Sequence, residues 1–205
     1  MRPGRRLPRS FFERPATTVA PALLGRMLVR IMDDGARLVA RLVEVEAYEE
    51  GDPASHAFRG RTPRNEVMFG PPGHLYVYFT YGMHFCSNVV TRESGRGSAV
   101  LLRAAQPLEG LEAMASNRGR DEPRLLCSGP ARLTQALGIS GAENGVDLVR
   151  GPALFLLSGE PPPARAIARS SRVGVNVAVD RRWRYFEKGS PFVSPGRPSG
   201  PRATG

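Results

Sequence analysis

The stretch Leu38–Tyr48 reads Leu-Val-Ala-Arg-Leu-Val-Glu-Val-Glu-Ala-Tyr, and its second half keeps a strict two-residue period. Successive side chains of an extended chain point to opposite sides. Leu42, Glu44, Glu46 and Tyr48 therefore share one face of a strand, and Val43, Val45 and Ala47 share the other. Two more runs read as strands: Leu75–Phe79, with Tyr76 and Tyr78 opposite Leu75, Val77 and Phe79, and Ser98–Ala104, an apolar run with the single charge Arg103. Val173–Val179 alternates most cleanly and is expected to pair with Trp183–Val193 through Asp180-Arg181-Arg182. Helices are expected around Ala16–Met27 (Leu23, Leu24 and Met27 inward) and over Pro107–Ala115 (Leu108 and Leu111 inward). A third has Ser128 as N-cap, Pro130 in its first turn, Leu133 and Leu137 on one face and Gly138 at its exit. These elements alternate without βαβ regularity and without a Gly-rich phosphate loop. The pattern is that of a single α+β domain around a mixed, mainly antiparallel sheet with surrounding helices.

A chain of 205 residues with 41% hydrophobic and 23% charged residues can build one packed core. The domain is expected over residues 11–194, between a flexible basic tail (1–10) and a flexible Pro/Gly-rich tail (195–205). No apolar run reaches the roughly 18 residues of a bilayer span. The basic start is followed by Phe11-Phe-Glu-Arg-Pro15 where a signal peptide needs an apolar stretch. A cytoplasmic protein is expected. Cys86 and Cys127 read as buried fillers, and no metal site or cofactor is expected. The net charge of +10 favours a polyanionic partner, nucleic acid before membrane.

Four of the five tyrosines and all three histidines lie between residues 48 and 84, beside Arg59, Arg61 and Arg64. Aromatic faces stack on exposed bases and guanidinium groups hold phosphates, so this window suits nucleic-acid recognition. Residues 49–73, rich in Gly, Pro, Asp and Asn, read as a long ordered loop of the kind that carries function. Tyr81 sits in a turn, Thr80-Tyr-Gly82-Met83, where a large ring projects unless a partner receives it. Glu46 is the candidate carboxylate, able to orient and deprotonate a water, with Arg103 as its partner or as a plain structural counter-ion. His56 also fits an ordinary loop histidine. The backbone near Ser128-Gly-Pro130 suits either plain N-capping or a DNA phosphate.

Several ordered blocks carry a resemblance. Val43-Glu-Val-Glu46-Ala-Tyr48, Ser55-His56, Arg61-Thr-Pro-Arg-Asn65, Met68-Phe69, and Gly73 through Asn88 are similar to the 3-methyladenine (alkyladenine) DNA glycosylase family of the mammalian type. Val100-Leu-Leu-Arg103-Ala, Pro107–Leu111, Leu126–Pro130, Ser171–Val175 and Gly189–Ser194 continue it, so that it spans roughly residues 14–194. The resemblance implies a fold that is not helix-hairpin-helix. It also implies a monofunctional enzyme that flips an alkylated or deaminated purine from double-stranded DNA and hydrolyses its N-glycosidic bond, starting base excision repair. By position, Glu46 matches the general base, Arg103 its partner at the water, and Tyr48, His56 and Tyr78 the enclosure of the flipped base. Asn88 matches the residue that crowds a purine 2-amino group, and Tyr81 the side chain inserted into the minor groove. Arg61, Arg64 and Met83 are expected at the DNA, the protein is expected to act as a monomer, and a bacterial relative would sit at the nucleoid. Lys188, the single lysine, lies far from the tyrosine cluster, so water and not an amine is the expected nucleophile. A non-catalytic nucleic-acid-binding module is the alternative, and a free-nucleoside hydrolase is a weaker third.

Overall fold

The structure is a computed structural model, and it describes residues 4–80 and 82–200. Tyr81 lies outside the described residues. Eight strands form one curled sheet: β1 (Met27–Ile31), β2 (Arg37–Tyr48), β3 (Leu75–Thr80), β4 (His84–Val90), β5 (Ala99–Glu109), β6 (Leu154–Leu157), β7 (Ile167–Ser170) and β8 (Arg184–Glu187). The main path runs β3-β4-β5-β2-β1-β6, and every pairing among these strands is antiparallel. Among the described residues five short α-helices accompany it: α1 (Arg9–Phe12), α2 (Ala16–Leu23), α3 (Leu111–Arg118), α4 (Pro123–Leu126) and α5 (Pro130–Ala136). This is the expected α+β class.

Strand β2 organises the molecule. One edge pairs with β5; the other pairs with β1 over its first half and with β8 over its second. The β2–β5 pairing skips Leu108 on β5, then Val43 on β2 and then Arg103 on β5, each an extra residue as in a β-bulge. The bulge changes the expected faces. Leu42 joins the main core with Val45 and Ala47, while Glu44 and Glu46 lie outside that core. A simple two-residue period had put Leu42 with the acids. α2 contributes Val19 and Leu23 to this core, α5 contributes Leu133 with Leu137 just past its end, and α3 contributes Met114.

Several expected boundaries move. The helix expected around Ala16–Met27 stops at Leu23, because Leu24 turns extended and Gly25 follows with φ near +80°. At Gly25 a Cβ would lie 2.2 Å from the Glu160 carbonyl oxygen, so the chain turns there and Met27 opens β1 instead. The helix expected over Pro107–Ala115 starts only at Leu111. Its first residues belong to β5, Leu108 is exposed, and Met114 takes the inward position. β4 has no counterpart among the expected strands, because His84, Cys86, Ser87 and Asn88 dilute its β-formers. At α5 the cap is Gly129 and not Ser128, whose hydroxyl accepts from Arg132 Nη1.

Val173–Val179 is not a strand. Gly174 at φ +74° and Ala178 at φ +49° bend it, and Val177 is exposed. The Trp183–Val193 block contributes β8, which pairs with β2 and β7 instead. Parts of the expected tails are packed. Leu7 is buried and Arg6 bridges Leu157; at the other end Pro198 bridges Val173.

Candidate active site

On the face of β2, β3 and β5 away from the main core lies a cavity of about 260 Å³. That volume falls just under the usual 300–1,000 Å³ of small-molecule pockets, the scale of one flat group. Tyr48, Tyr76, Tyr78, His56, Met68 and Cys86 line it, with Asn88, Arg103 and Val173 among its other walls. The period-two reading of Leu75–Phe79 is right: Tyr76 and Tyr78 face the cavity side, and Leu75 and Val77 enter the main core.

The aromatic groups brace one another. His56 Nδ1 and the Tyr76 hydroxyl are 3.0 Å apart, and the His56 ring stands edge-on to Tyr78 at 4.6 Å between centroids. Tyr76 and Tyr78 are 5.6 Å apart, tilted by 31°. Burial pushes the Tyr76 hydroxyl up to about 12 and the Tyr78 hydroxyl still higher, so both remain neutral donors. Burial, helped by Arg64, lowers the His56 imidazole and favours its neutral form. Asn88 is buried and donates from Nδ2 to the Tyr76 carbonyl at 3.1 Å, which fixes its orientation in the wall.

Glu46 is fully buried. Its Oε1 accepts from the Val173 N–H at 2.8 Å; its Oε2 accepts from the Tyr48 hydroxyl at 2.9 Å and from Arg103 Nη1 at 3.4 Å. Glu46 is not itself part of the cavity wall, but all three of its partners are. The carboxylate thus sits one hydrogen bond behind the aromatic chamber. Burial raises its carboxyl above the ordinary range, and Arg103, Val173 and Tyr48 offset this only in part. Arg103 and Glu46 touch directly, where the sequence reading allowed for a water between them.

Glu44, which the sequence reading passed over, is the closer partner of Arg103. It accepts from Arg103 Nε at 2.8 Å, Arg184 Nε at 2.7 Å, and the Ser194 N–H and hydroxyl at 2.6 and 2.9 Å. Burial alone would raise its carboxyl, but the two guanidinium groups and the Ser194 N–H outweigh burial and hold it below the ordinary range. A second missed group is Arg172. It is fully buried, paired with Asp52, donates to the Ala47 carbonyl, and lies over the Tyr48 ring at 4.6 Å and the Trp183 ring at 5.4 Å. Signals for both were present: Glu44 shares the Glu46 face, and Arg172 lies in the block Ser171–Val175.

The outer residues are less tightly held. Arg64 lines the cavity and donates to the Phe79 carbonyl at 3.3 Å. Arg61 pairs with Glu66, both more than half exposed. Met83 is 70% exposed. Cys86 and Cys127 are buried free thiols, as expected. Lys188 is exposed, lies outside the cavity lining, and its N–H bonds the Ala166 carbonyl. No helix of the described residues is long and apolar enough to cross a membrane.

Comparison with known proteins identifies the family. The family model described as methylpurine-DNA glycosylase matches residues 10–191. A protein of Burkholderia lata is 52% identical over 94% of this chain and 92% of its own length. Proteins of Carboxydothermus hydrogenoformans and Methanoculleus marisnigri are each 49% identical over 92% of this chain and 98% of their own lengths. All three carry the name "Putative 3-methyladenine DNA glycosylase". With one family matched across nearly the whole domain, and with its relatives covered almost end to end, the chain belongs to the methylpurine-DNA glycosylase family and is an enzyme of the DNA glycosylase class.

Proposed function

We propose that this enzyme flips an alkylated or deaminated purine out of duplex DNA into the tyrosine-lined chamber and hydrolyses its N-glycosidic bond with a water activated by Glu46. The observation that carries this reading is a fully buried carboxylate whose three partners, Tyr48, Arg103 and Val173, are themselves walls of an aromatic cavity. Extrusion costs a few kcal/mol and least for damaged bases. N-alkylated purines carry positive charge, and electron-rich rings attract cations by about 0.5–2 kcal/mol. Candidate substrates are 3-methyladenine, 7-methylguanine, hypoxanthine and ethenoadenine.

In the proposed reaction the 3.4 Å contact with Arg103 is the loosest at Glu46, and a water takes its place. As the glycosidic bond breaks, its electron pair leaves with the base and the sugar gains oxocarbenium character. Water oxygen bonds the anomeric carbon and Glu46 accepts the proton. Asn88 crowds a purine 2-amino group, Tyr48, His56 and Tyr78 enclose the base, Arg61, Arg64 and Met83 meet the DNA, and Tyr81 fills the emptied stack. The exposed Lys188, outside the cavity lining, supports a monofunctional reaction without strand cleavage. We further propose a monomer that works in the cytoplasm at the nucleoid.

Single-turnover release of one defined lesion per duplex tests the role of Glu46. Glu46→Gln is expected to slow release at least about 100-fold while lesion binding persists. Release at near the wild-type rate by that variant refutes the proposed chemistry.

A further inference from the structure

Arg103 is an extra residue of β5 in its pairing with β2, and its guanidinium is not shared evenly between the two carboxylates beside it. Its Nε lies 2.8 Å from Glu44, whereas Nη1 reaches Glu46 only at 3.4 Å and Nη2 reaches the Ser194 hydroxyl at 3.4 Å. Glu44 is in turn held from two other directions, by Arg184 of β8 and by the backbone and hydroxyl of Ser194. A guanidinium free of Glu44 would present its fork to Glu46 with two donors, the geometry that arginine and carboxylate prefer.

Resting on the reading of Glu46 as the base, we propose that Glu44 is a positioning residue for base release: by anchoring Arg103 it keeps that guanidinium from closing fully on Glu46, and so leaves the Glu46 carboxylate able to take a proton from water. The charged and titratable groups around Glu46 fit this. Tyr48 and Glu44 come from its own strand, Arg103 from β5, Tyr78 and Cys86 from β3 and β4, and Arg172 beside the Val173 donor; Arg184 stands opposite it in register. Arg103 is the cation bonded to Glu46, and its position decides how tightly Glu46 holds a proton. Glu44 adds to this directly, since its negative charge also opposes ionisation of Glu46.

The test is the pH dependence of single-turnover release from duplex DNA carrying one lesion that the wild type excises. In Glu44→Gln the acid limb is expected to move down by about one pH unit or more, with the plateau rate down about tenfold and lesion binding kept. A residue that serves only the fold would lower stability and leave the limb in place. Because Glu44→Gln strands the buried Arg184, the double variant Glu44→Gln/Arg184→Met is measured beside it, with thermal unfolding to confirm the folded state. It keeps the local charge balance and is expected to show the same shift. A limb that stays put or rises in a folded variant overturns the proposal. Glu46→Gln, run in parallel, separates the two ideas. If it still releases base, the reading of Glu46 has failed; if it is inactive while the Glu44→Gln limb is unmoved, only the role of Glu44 has.

Discussion

Glu44 and Glu46 stand two positions apart on β2, both fully buried, and are driven in opposite directions. Glu44 has two close guanidinium groups and the Ser194 backbone, enough to outweigh desolvation. Glu46 has one looser guanidinium and two neutral donors, which are not enough. A base acts in its ionised form, so a raised carboxyl retains its proton to higher pH and the release rate starts to fall earlier on acidification. The acid limb is therefore expected above the roughly 4.3 of an ordinary glutamate, read from single-turnover rates across pH. A limb that vanishes in His56→Gln would assign it to the imidazole instead. Stability responds with the other sign at Glu44: its contribution is present above about 4.3 and is lost as pH falls through its lower folded value, because the unfolded chain binds the proton more readily.

At the scale of elements, the site is closed by segments without regular secondary structure. Residues 171–175 lie across the end of β2, and Arg172 ties them to Asp52 in the long loop and to the Tyr48 ring. Removing one partner of such a buried pair leaves an uncompensated charge. Asp52→Asn is expected to destabilise the protein by about 3–5 kcal/mol, measured by denaturant unfolding, and the double change Asp52→Leu/Arg172→Met to recover much of that loss. An unchanged midpoint in Asp52→Asn would show the pair to be energetically idle. Phe79 of β3 and Met83 just before β4 have exposed side chains. If Tyr81 is the wedge, Tyr81→Ala slows release from paired duplex more than from single strands. Equal losses on both substrates speak against a wedge.

For the whole molecule the relevant quantity is net charge. At +10, with basic residues that are arginine apart from Lys188, the protein is expected to bind duplex DNA with an affinity that falls linearly in log–log against salt. The slope is about −0.9 for each phosphate neutralised, so titrations from low to physiological salt count the contacts. A slope flatter than about −1 would mean that the arginines do not meet the backbone. Most of that charge is spread over the surface, whereas Arg103, Arg172 and Arg184 are buried and paired with acids. Those three charges are balanced by carboxylates inside the protein.

The strand alternation of Leu75–Phe79, the candidate base on β2, the concentration of tyrosines at one site and the polyanion-seeking charge were all legible in the residues, because each depends on local period or composition. Tertiary structure alone decided the rest. The paired bulges at Val43 and Arg103 move Leu42 into the core and bring Arg103 against Glu44, and no local pattern encodes a register set by two strands far apart in sequence. In the same way, Val173–Val179 alternates like a strand, yet it bends at Gly174 and Ala178 into a closure that delivers one backbone N–H to Glu46. Periodicity states which side chains can share a face, and only packing settles what that face meets.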